Sequence, residues 1–198
     1  SSPMAGDMDI YVMASGGGEP VRLTDSPYDE VSPHWSPDGN HLAFFSDRGT
    51  GGAIYLIPPL GGPVRKLVDT HLPYLDRSVD GFNSLGALPW SPDSKELLFS
   101  RLQPSGGLAV WKVDVQTSRE IQLTHAPPGG DDLAATWSFD GETIVFERRV
   151  GGRSGLWLLH AQGGEPRPVL EDDHSNGTPT WSPDNRRVVF TSNRGGAW

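Results

Sequence analysis

The chain has 198 residues, of which 25 are glycine and 18 are proline, and it contains no cysteine. Its 16 basic and 25 acidic residues give a formal net charge of -9, which disfavours non-specific binding to nucleic acid. The lack of cysteine excludes a disulfide scaffold and any cysteine-based metal site or nucleophile. No run of about 18 apolar residues is present, so we expect no direct membrane insertion. The class that remains is a turn-rich, all-β protein with no nucleic-acid partner.

The first predicted elements are two short strands near the N-terminus. Residues 9–13 are rich in β-branched and aromatic side chains, residues 22–24 form a shorter candidate strand, and the glycine run 16–18 separates them. Residues 1–6 are expected to be a flexible leader, and this chain shows no signal peptide.

A tryptophan-centred motif then occurs four times. Trp-Ser-Pro-Asp begins at Trp35, Trp90 and Trp181, and Trp-Ser-Phe-Asp begins at Trp137, so the tryptophans are 55, 47 and 44 residues apart. Each motif is followed by an apolar run and a polar loop, and in the first three copies a second apolar run and a further turn come next. A spacing of about 40–50 residues with short strands is typical of one propeller blade.

This repeat predicts four blade equivalents in chain order. Residues 9–24 supply a half-blade with the third and fourth strands, and residues 179–198 supply a half-blade with the first and second. Complete four-stranded blades are predicted over residues 33–68, 89–124 and 135–170. We therefore treat 1–198 as a single β-propeller domain or propeller fragment.

The motif residues have a simple structural interpretation. Proline presets the backbone of a reverse turn, aspartate bonds the local backbone and glycine accepts a positive φ. We therefore expect the four motif aspartates to cap turns, and the four motif tryptophans to pack between adjacent blades.

The combination of Trp-Ser-Pro-Asp-Gly, an apolar run, Ser-Asp-Arg, Ile-Tyr-Leu and paired glycines resembles the TolB-like β-propeller repeat family. The resemblance covers residues 9–198. It implies an all-β fold, a β-propeller of four-stranded antiparallel blades. It also implies a periplasmic or extracytoplasmic location and a protein or peptide partner.

Two arrangements remain open at this point. The two half-blades either pair and close a four-blade ring, which removes exposed sheet edges, or the chain is part of a larger, six-blade-type propeller. In the second arrangement, the open blade edges are compatible with a homo-oligomer.

Charged residues of opposite sign alternate in the loops that follow the second and fourth strands, which propeller geometry brings to one face. We call this face the loop rim. Arginine pairs with carboxylates through two hydrogen bonds, so the rim is a candidate surface for a charged ligand or partner. The alternative is a set of ion pairs within the rim. The candidate residues are Asp29, Glu30, Arg48, Asp76, Asp80, Arg101, Asp131, Asp132, Arg148, Asp172, Asp173 and Arg194.

The segment 68–88 departs from the repeat. Asp76, Ser78 and Asp80 place oxygen atoms at alternate positions before a glycine, as in the first half of an EF-hand loop. Ala87 stands where that loop needs glutamate. We therefore expect no cofactor, with calcium at these three residues as a weak alternative.

The sequence contains no recognisable catalytic constellation, including no Gly-x-Ser-x-Gly elbow. We therefore expect a non-enzymatic recognition or scaffold propeller that binds a protein, peptide or small ligand on the loop rim or in the axial channel. One alternative is a metal-dependent polysaccharide lyase-like propeller, for which His34, His125 and His174 are the candidate ligands. Another is a structural propeller attached to a peptidase or a sensor kinase.

Overall fold

A computed structural model describes residues 8–48, 51–72 and 88–195. The described residues form fifteen β-strands and no helix, so the all-β prediction is confirmed. No element in these ranges is a helix long and apolar enough to cross a membrane. The candidate calcium residues Asp76, Ser78 and Asp80 lie outside the described residues.

All strand pairs are antiparallel, and the strands group into five sheets that follow one another along the chain. The N-terminal half-blade contains β1 (Tyr11–Val12) and β2 (Val21–Arg22). Blade one contains β3 (Glu30–Trp35), β4 (Leu42–Ser46), β5 (Ala53–Ile57) and β6 (Arg65–Asp69). Blade two contains β7 (Glu96–Leu102), β8 (Leu108–Asp114) and β9 (Glu120–Gln122). Blade three contains β10 (Asp131–Trp137), β11 (Thr143–Val150), β12 (Arg153–His160) and β13 (Arg167–Leu170). The C-terminal half-blade contains β14 (Asn176–Trp181) and β15 (Val188–Ser192).

Blade two differs from its neighbours at its first strand. In the described residues, this strand is reduced to an isolated antiparallel bridge between Trp90 and Leu97. The residues that precede it in the repeat lie in 73–87, outside the described ranges. Blade two is thus a three-stranded sheet with a bridge, where the sequence predicted four full strands.

The half-blades remain separate two-stranded sheets, and no ladder joins them in the described part of the chain. The N-terminal half-blade packs on blade one through a buried cluster that includes Ile10, Leu42 and Phe44. The C-terminal half-blade instead contacts strands of blade three. The sheets therefore succeed one another as propeller blades do, without strand pairing between the first and the last.

Buried apolar clusters hold successive blades together. One joins blades one and two through residues such as Phe45 and Phe99, and another joins blades two and three through residues such as Leu98 and Phe146. These side chains come from alternate positions of the central strands, because successive side chains of a strand point to opposite faces. Both faces of a central blade are therefore buried.

Two of the motif tryptophans pack between blades as predicted. Trp90 and Trp137 are buried, and their Nε1 atoms donate to the carbonyl oxygens of His34 and Pro89, respectively, on the preceding blade. The prediction is wrong for Trp35, which is 50% exposed. Trp90 and Trp137 each bond the first strand of the preceding blade. In the described residues the N-terminal half-blade contains only β1 and β2, which are third and fourth strands, so Trp35 has no such strand to pack against.

The motif aspartates cap their turns, which confirms that prediction. In the first copy, the Ser36 hydroxyl donates to Asp38 Oδ1 at 2.6 Å, and the backbone amide of Asn40 donates to the same oxygen at 3.0 Å. These bonds, that from Ser36 first, lower the pKa of Asp38 from 3.8 to about 2. Equivalent serine–aspartate bonds occur in the other three copies.

Neighbouring turns are also linked to each other. Ser94 and Asn185 stand where the other copies have glycine, and both adopt a positive φ, at 64° and 58°. Ser94 Oγ accepts from the amide of Asp38, and Asn185 Oδ1 accepts from the amide of Phe139. Asn185 Nδ2 also donates to Asp140 at 2.9 Å. At these two blade boundaries, a polar side chain thus reaches back to the turn of the preceding blade.

Candidate functional site

The arginines of the predicted loop rim occupy a recurring position at or just after the end of the second strand. In blade three, Arg148 Nε and Nη2 donate to the two carboxylate oxygens of Asp132 at 2.6 and 2.8 Å. Asp132 is fully buried, and the Arg148 guanidinium lies 4.5 Å from the centre of the Trp157 ring. Arg148 therefore uses its carboxylate-binding edge inside its own blade.

An arginine also pairs with a carboxylate in blade one and in the C-terminal half-blade, but without two bonds to one buried aspartate. Arg48 pairs with the buried carboxylate of Glu30, and Arg194 Nη2 donates to Asp172 Oδ2 at 2.8 Å. Both arginines lie two positions further along the chain than Arg148, counted from the motif tryptophan.

Arg101 of blade two finds different partners. Its Nη1 donates to Glu120 at 2.6 Å, and its Nε and Nη2 donate to the carbonyl oxygen of Asp69. The guanidinium also stacks 4.5 Å from the ring centre of Trp111. Glu120 belongs to β9 rather than to a rim loop, so sequence position alone did not indicate this pair.

The remaining predicted rim residues also have structural contacts. Asp29 Oδ1 accepts from the amide of Met8, and Asp131 Oδ1 accepts from the amide of Leu108 on blade two. Asp173 pairs with Arg153 at 2.9 Å, with both side chains largely exposed. Asp76 and Asp80 lie outside the described residues. The structure therefore brings acid and base together at the rim mainly as pairs within blades.

A second set of charges, which sequence reasoning missed, lies between blade three and the C-terminal half-blade. Glu147 on β11 is only 2% exposed, although it carries a carboxylate. Its Oε1 accepts from Arg149 Nε at 2.5 Å, and its Oε2 accepts from the amide of Thr178 at 3.2 Å. A carboxylate so deeply buried requires partners of this kind.

Gly177 makes room for that carboxylate. A Cβ atom at Gly177 would lie 2.3 Å from Glu147 Oε2, so any larger residue would displace it. The equivalent position in the other described copies holds the apolar residues Val31 and Leu133. Two features of the sequence indicate this site: a glutamate, Glu147, inside a predicted strand, and a glycine, Gly177, at a position that is apolar in the other described copies.

Two adjoining cavities open at blade three, and Glu147 lines the first of them. The first, which we call the arginine cleft, has a volume of about 410 Å³ and is lined by residues that include Glu147, Arg149, Arg153, Ser154, Thr178 and Thr191. The second, which we call the acidic groove, has a volume of about 600 Å³ and is lined by residues that include Arg153, Ser154, Glu171, Asp172 and Asp173. Volumes of this size are typical of ligand sites. The two cavities share Arg153 and Ser154.

The carboxylates of the acidic groove differ in the number of hydrogen bonds and ion pairs that hold them. Asp172 accepts from Asn176, from the amide of His174 and from Arg194, and these bonds, that from Asn176 first, lower its pKa. Among the described residues, Asp173 is paired only with the exposed Arg153. The groove, which Arg148 also lines, therefore combines a firmly held carboxylate at Asp172 with a weakly held one at Asp173.

The candidate metal-ligating histidines do not lie in one cluster. His34 Nδ1 is 2.9 Å from the carbonyl oxygen of Ser32, and His174 Nδ1 is 3.4 Å from Asp172 Oδ1. Within 8–48, 51–72 and 88–195, no three His, Asp or Glu side chains come together as a metal-binding group.

The family model described as "TolB beta propeller domain" matches residues 75–198. This chain belongs to that family. The TolB-like resemblance of the sequence motifs is thereby confirmed, as is the propeller fold. A crystal structure of TolB from Acinetobacter baumannii superposes with a TM-score of 0.66 at 22% identity, covering 91% of this chain and 42% of that one.

One relative of this TolB propeller chain is named a peptidase. It is 29% identical over 185 residues to the uncharacterized peptidase YuxL of Bacillus subtilis strain 168, covering 93% of this chain and 24% of YuxL. The chain thus spans about a quarter of the length of that relative. An oligogalacturonate lyase in complex with manganese superposes with a TM-score of 0.70 at 14% identity, covering 93% of this chain and 52% of that one. At this identity, the likeness concerns the fold alone.

Proposed function

We propose that this chain is a non-enzymatic recognition and scaffold module that binds a protein, peptide or small ligand through its loop rim. The contact area is the part of the rim between blade three and the C-terminal half-blade, where the arginine cleft and the acidic groove adjoin. Loops on a rigid scaffold are common sites of recognition, because the scaffold fixes their position.

One observation carries this proposal, namely the contrast between two adjacent arginines. The Arg148 side chain is 10% exposed, and its Nε and Nη2 both bond the buried carboxylate of Asp132 within the blade. The Arg149 side chain is 49% exposed, and in the described residues only its Nε has a protein partner. Arg149 therefore retains hydrogen-bond donors that face a cavity and that the fold does not consume.

The experiment is a binding screen of the purified chain against an immobilised array of twelve-residue peptides. We expect a subset of peptides to bind the wild-type chain and to lose binding to the Arg153→Glu variant. Arg186→Glu is the matched control, because it makes the same charge change in the motif turn that follows β14, away from the rim. A screen with no binder, or binders that Arg186→Glu abolishes and Arg153→Glu does not, would overturn the proposal.

Metal analysis separates this proposal from the lyase-like alternative. A stoichiometric transition metal in the purified protein, together with polysaccharide cleavage that His34→Ala or His174→Ala abolishes, would refute the recognition function. Cleavage that both variants retain would point to a site elsewhere in the chain and would equally contradict a non-enzymatic module.

A second candidate is a structural propeller attached to a peptidase, which the likeness to YuxL favours. In that case the rim would face a catalytic domain in the same polypeptide. The coding sequence on either side of residues 1 and 198 tests this directly. A peptidase domain encoded there supports the attached propeller, and its absence contradicts it.

An extracytoplasmic location is part of the first proposal and follows from the family resemblance. Fusion of the intact gene product to alkaline phosphatase, which is active only outside the cytoplasm, tests it. Phosphatase activity in whole cells is the expected result, and an inactive but intact fusion would contradict it.

A further inference from the structure

We infer that the arginine cleft is a carboxylate-binding site that takes one acidic group of a peptide partner. The group is the side chain of aspartate or glutamate, or a C-terminal carboxylate. This inference rests on the proposed function and names the chemistry that the rim recognises. Its donors are the terminal nitrogens of Arg149, with Arg153 and the hydroxyl of Ser154, the cross-strand neighbour of Arg149, also lining the cleft.

The mode of pairing between Glu147 and Arg149 leaves a complete binding edge available. A guanidinium is a planar group with five donors, and it can meet a carboxylate through Nε with one Nη or through both Nη atoms. Glu147 takes the Nε of Arg149 at 2.5 Å. In the described residues, neither terminal nitrogen of Arg149 has a partner. The edge formed by these two nitrogens therefore suits a second carboxylate.

Glu147 also fixes the direction of that edge. Its carboxylate is held by the amide of Thr178, and Gly177 allows it to lie directly against the backbone of β14. A buried carboxylate has few alternative positions, so the guanidinium bound to it is positioned before a ligand arrives. Such preorganisation lowers the entropic cost of binding. Glu147 is thus a positioning residue, and Arg149 is the residue that contacts the ligand.

The neighbouring strand β12 supplies a second cation and a hydroxyl group to the cleft. The Arg153 side chain is 70% exposed, and within the described ranges it pairs only with Asp173, which is more exposed still. An ion pair between exposed side chains contributes little, so Arg153 can exchange Asp173 for a ligand at low cost. Ser154 Oγ accepts from the amide of Asn176, which leaves its hydroxyl proton available for donation.

The charge balance favours a monoanionic carboxylate over a phosphate dianion. Once Arg153 has released Asp173, two arginines and the buried Glu147 leave a surplus of one positive charge in the arginine cleft. The acidic groove begins at the shared residue Arg153, and its Glu171 and Asp173 repel a second negative charge. Like charges brought together at a binding site disfavour the wrong partner. A single carboxylate, with one negative charge, therefore matches the one surplus positive charge of the arginine cleft.

The experiment is a titration of the ¹⁵N-labelled chain, followed by amide chemical shifts, with four acetylated pentapeptides. Three have an amidated C-terminus and carry glutamate, glutamine or phosphoserine between glycines, and the fourth is pentaglycine with a free C-terminal carboxylate. We expect the glutamate peptide, the free-carboxylate peptide or both to shift the amide signals of Gly152, Ser154 and Thr178. The tighter of the two identifies the source of the carboxylate. We expect the glutamine peptide to cause no shift at the same concentrations.

Variants locate the contact. Arg149→Gln should weaken carboxylate binding by at least about tenfold, because a charge-assisted pair is lost. Arg153→Gln should weaken it by a smaller factor without disturbing a buried group, and Arg186→Gln should leave it unchanged. The amide spectrum of each variant shows whether it is folded, so a folding defect in Arg149→Gln leaves Arg153→Gln as the deciding measurement.

Three results would overturn the inference. These are equal binding of the glutamate and glutamine peptides, tighter binding of the phosphoserine peptide than of the glutamate peptide, and an Arg153→Gln variant that binds like the wild type. If twelve-residue array peptides still bind in an Arg153-dependent manner while carboxylates have no effect, the inference fails and the recognition function stands. If no peptide binds in either experiment, both fail.

Discussion

The strongest test of the blade packing compares two tryptophans of the same motif. Trp137 is 6% exposed and Trp35 is 50% exposed. A tryptophan buries about 200 Å² at most, which at about 25 cal/mol per Å² corresponds to an upper estimate of about 5 kcal/mol. Trp137→Ala leaves a cavity between blades two and three and removes the bond from Nε1 to Pro89, so we expect a loss of about 3–5 kcal/mol.

Trp35→Ala is the matched control. About half of its surface is already in water, and solvent fills the space that the side chain leaves, so we expect a loss of about 1–2 kcal/mol. Urea unfolding followed by circular dichroism measures both variants. With a slope of about 2.5 kcal/mol per M, a loss of 4 kcal/mol, the middle of the range expected for Trp137→Ala, lowers the midpoint by about 1.6 M. Equal losses for the two variants, or a loss below about 1 kcal/mol for Trp137→Ala, would refute the assigned packing.

Three further predictions concern the charged groups. Gly177→Ala should lower the free energy of unfolding, measured in urea, by about 1–3 kcal/mol, because its Cβ displaces the Glu147 carboxylate. If the losses of Gly177→Ala and Glu147→Ala simply add in the double variant, that contact is contradicted. Arg148→Ala should lower the free energy of unfolding by about 3–5 kcal/mol, because it leaves the buried carboxylate of Asp132 unpaired. Arg153→Ala breaks an exposed pair and should lower it by less than about 1 kcal/mol. Similar losses for the two variants would contradict the structure. Because the folded-state pKa of Asp38 is lowered to about 2, its contribution is complete above about pH 4 and is lost as the pH falls towards 2. Asp38→Asn should therefore lose less stability than the wild type between pH 5 and pH 2.5, and parallel losses would contradict this.

The repeat and its turns were predictable because their causes are local. The Ser36 hydroxyl and the Asp38 carboxylate are two residues apart, and the bond between them depends on little else. The exposure of Trp35 was not predictable in the same way. Whether a motif tryptophan is buried depends on the strand that the preceding sheet presents, and the motif itself is identical in Trp35 and Trp90.

The charges of the rim were predictable in sign and position, but their partners were not all predictable. Arg148 and Asp132 lie directly opposite each other on adjacent strands, so strand register decides their pairing. Arg101 instead bonds a backbone carbonyl and Glu120, which depends on how β6 and β9 lie beside it. The arginine cleft could not be predicted from the sequence, because it depends on how two neighbouring sheets pack together: Glu147 belongs to one sheet and Gly177 to the other.

The links between motif turns divide the molecule unevenly. Ser94 joins the turns of blades one and two, and Asn185 joins those of blade three and the C-terminal half-blade, whereas Gly141 leaves the boundary between blades two and three without such a link. In repeat proteins, each boundary contributes its own share of the cooperativity of unfolding. We therefore expect the two linked pairs of sheets to exchange their amide hydrogens as two units. The boundary between them is held instead by Trp137 and its apolar neighbours and by the bonds from Leu108 to Asp131 and from Lys112 to Ala161.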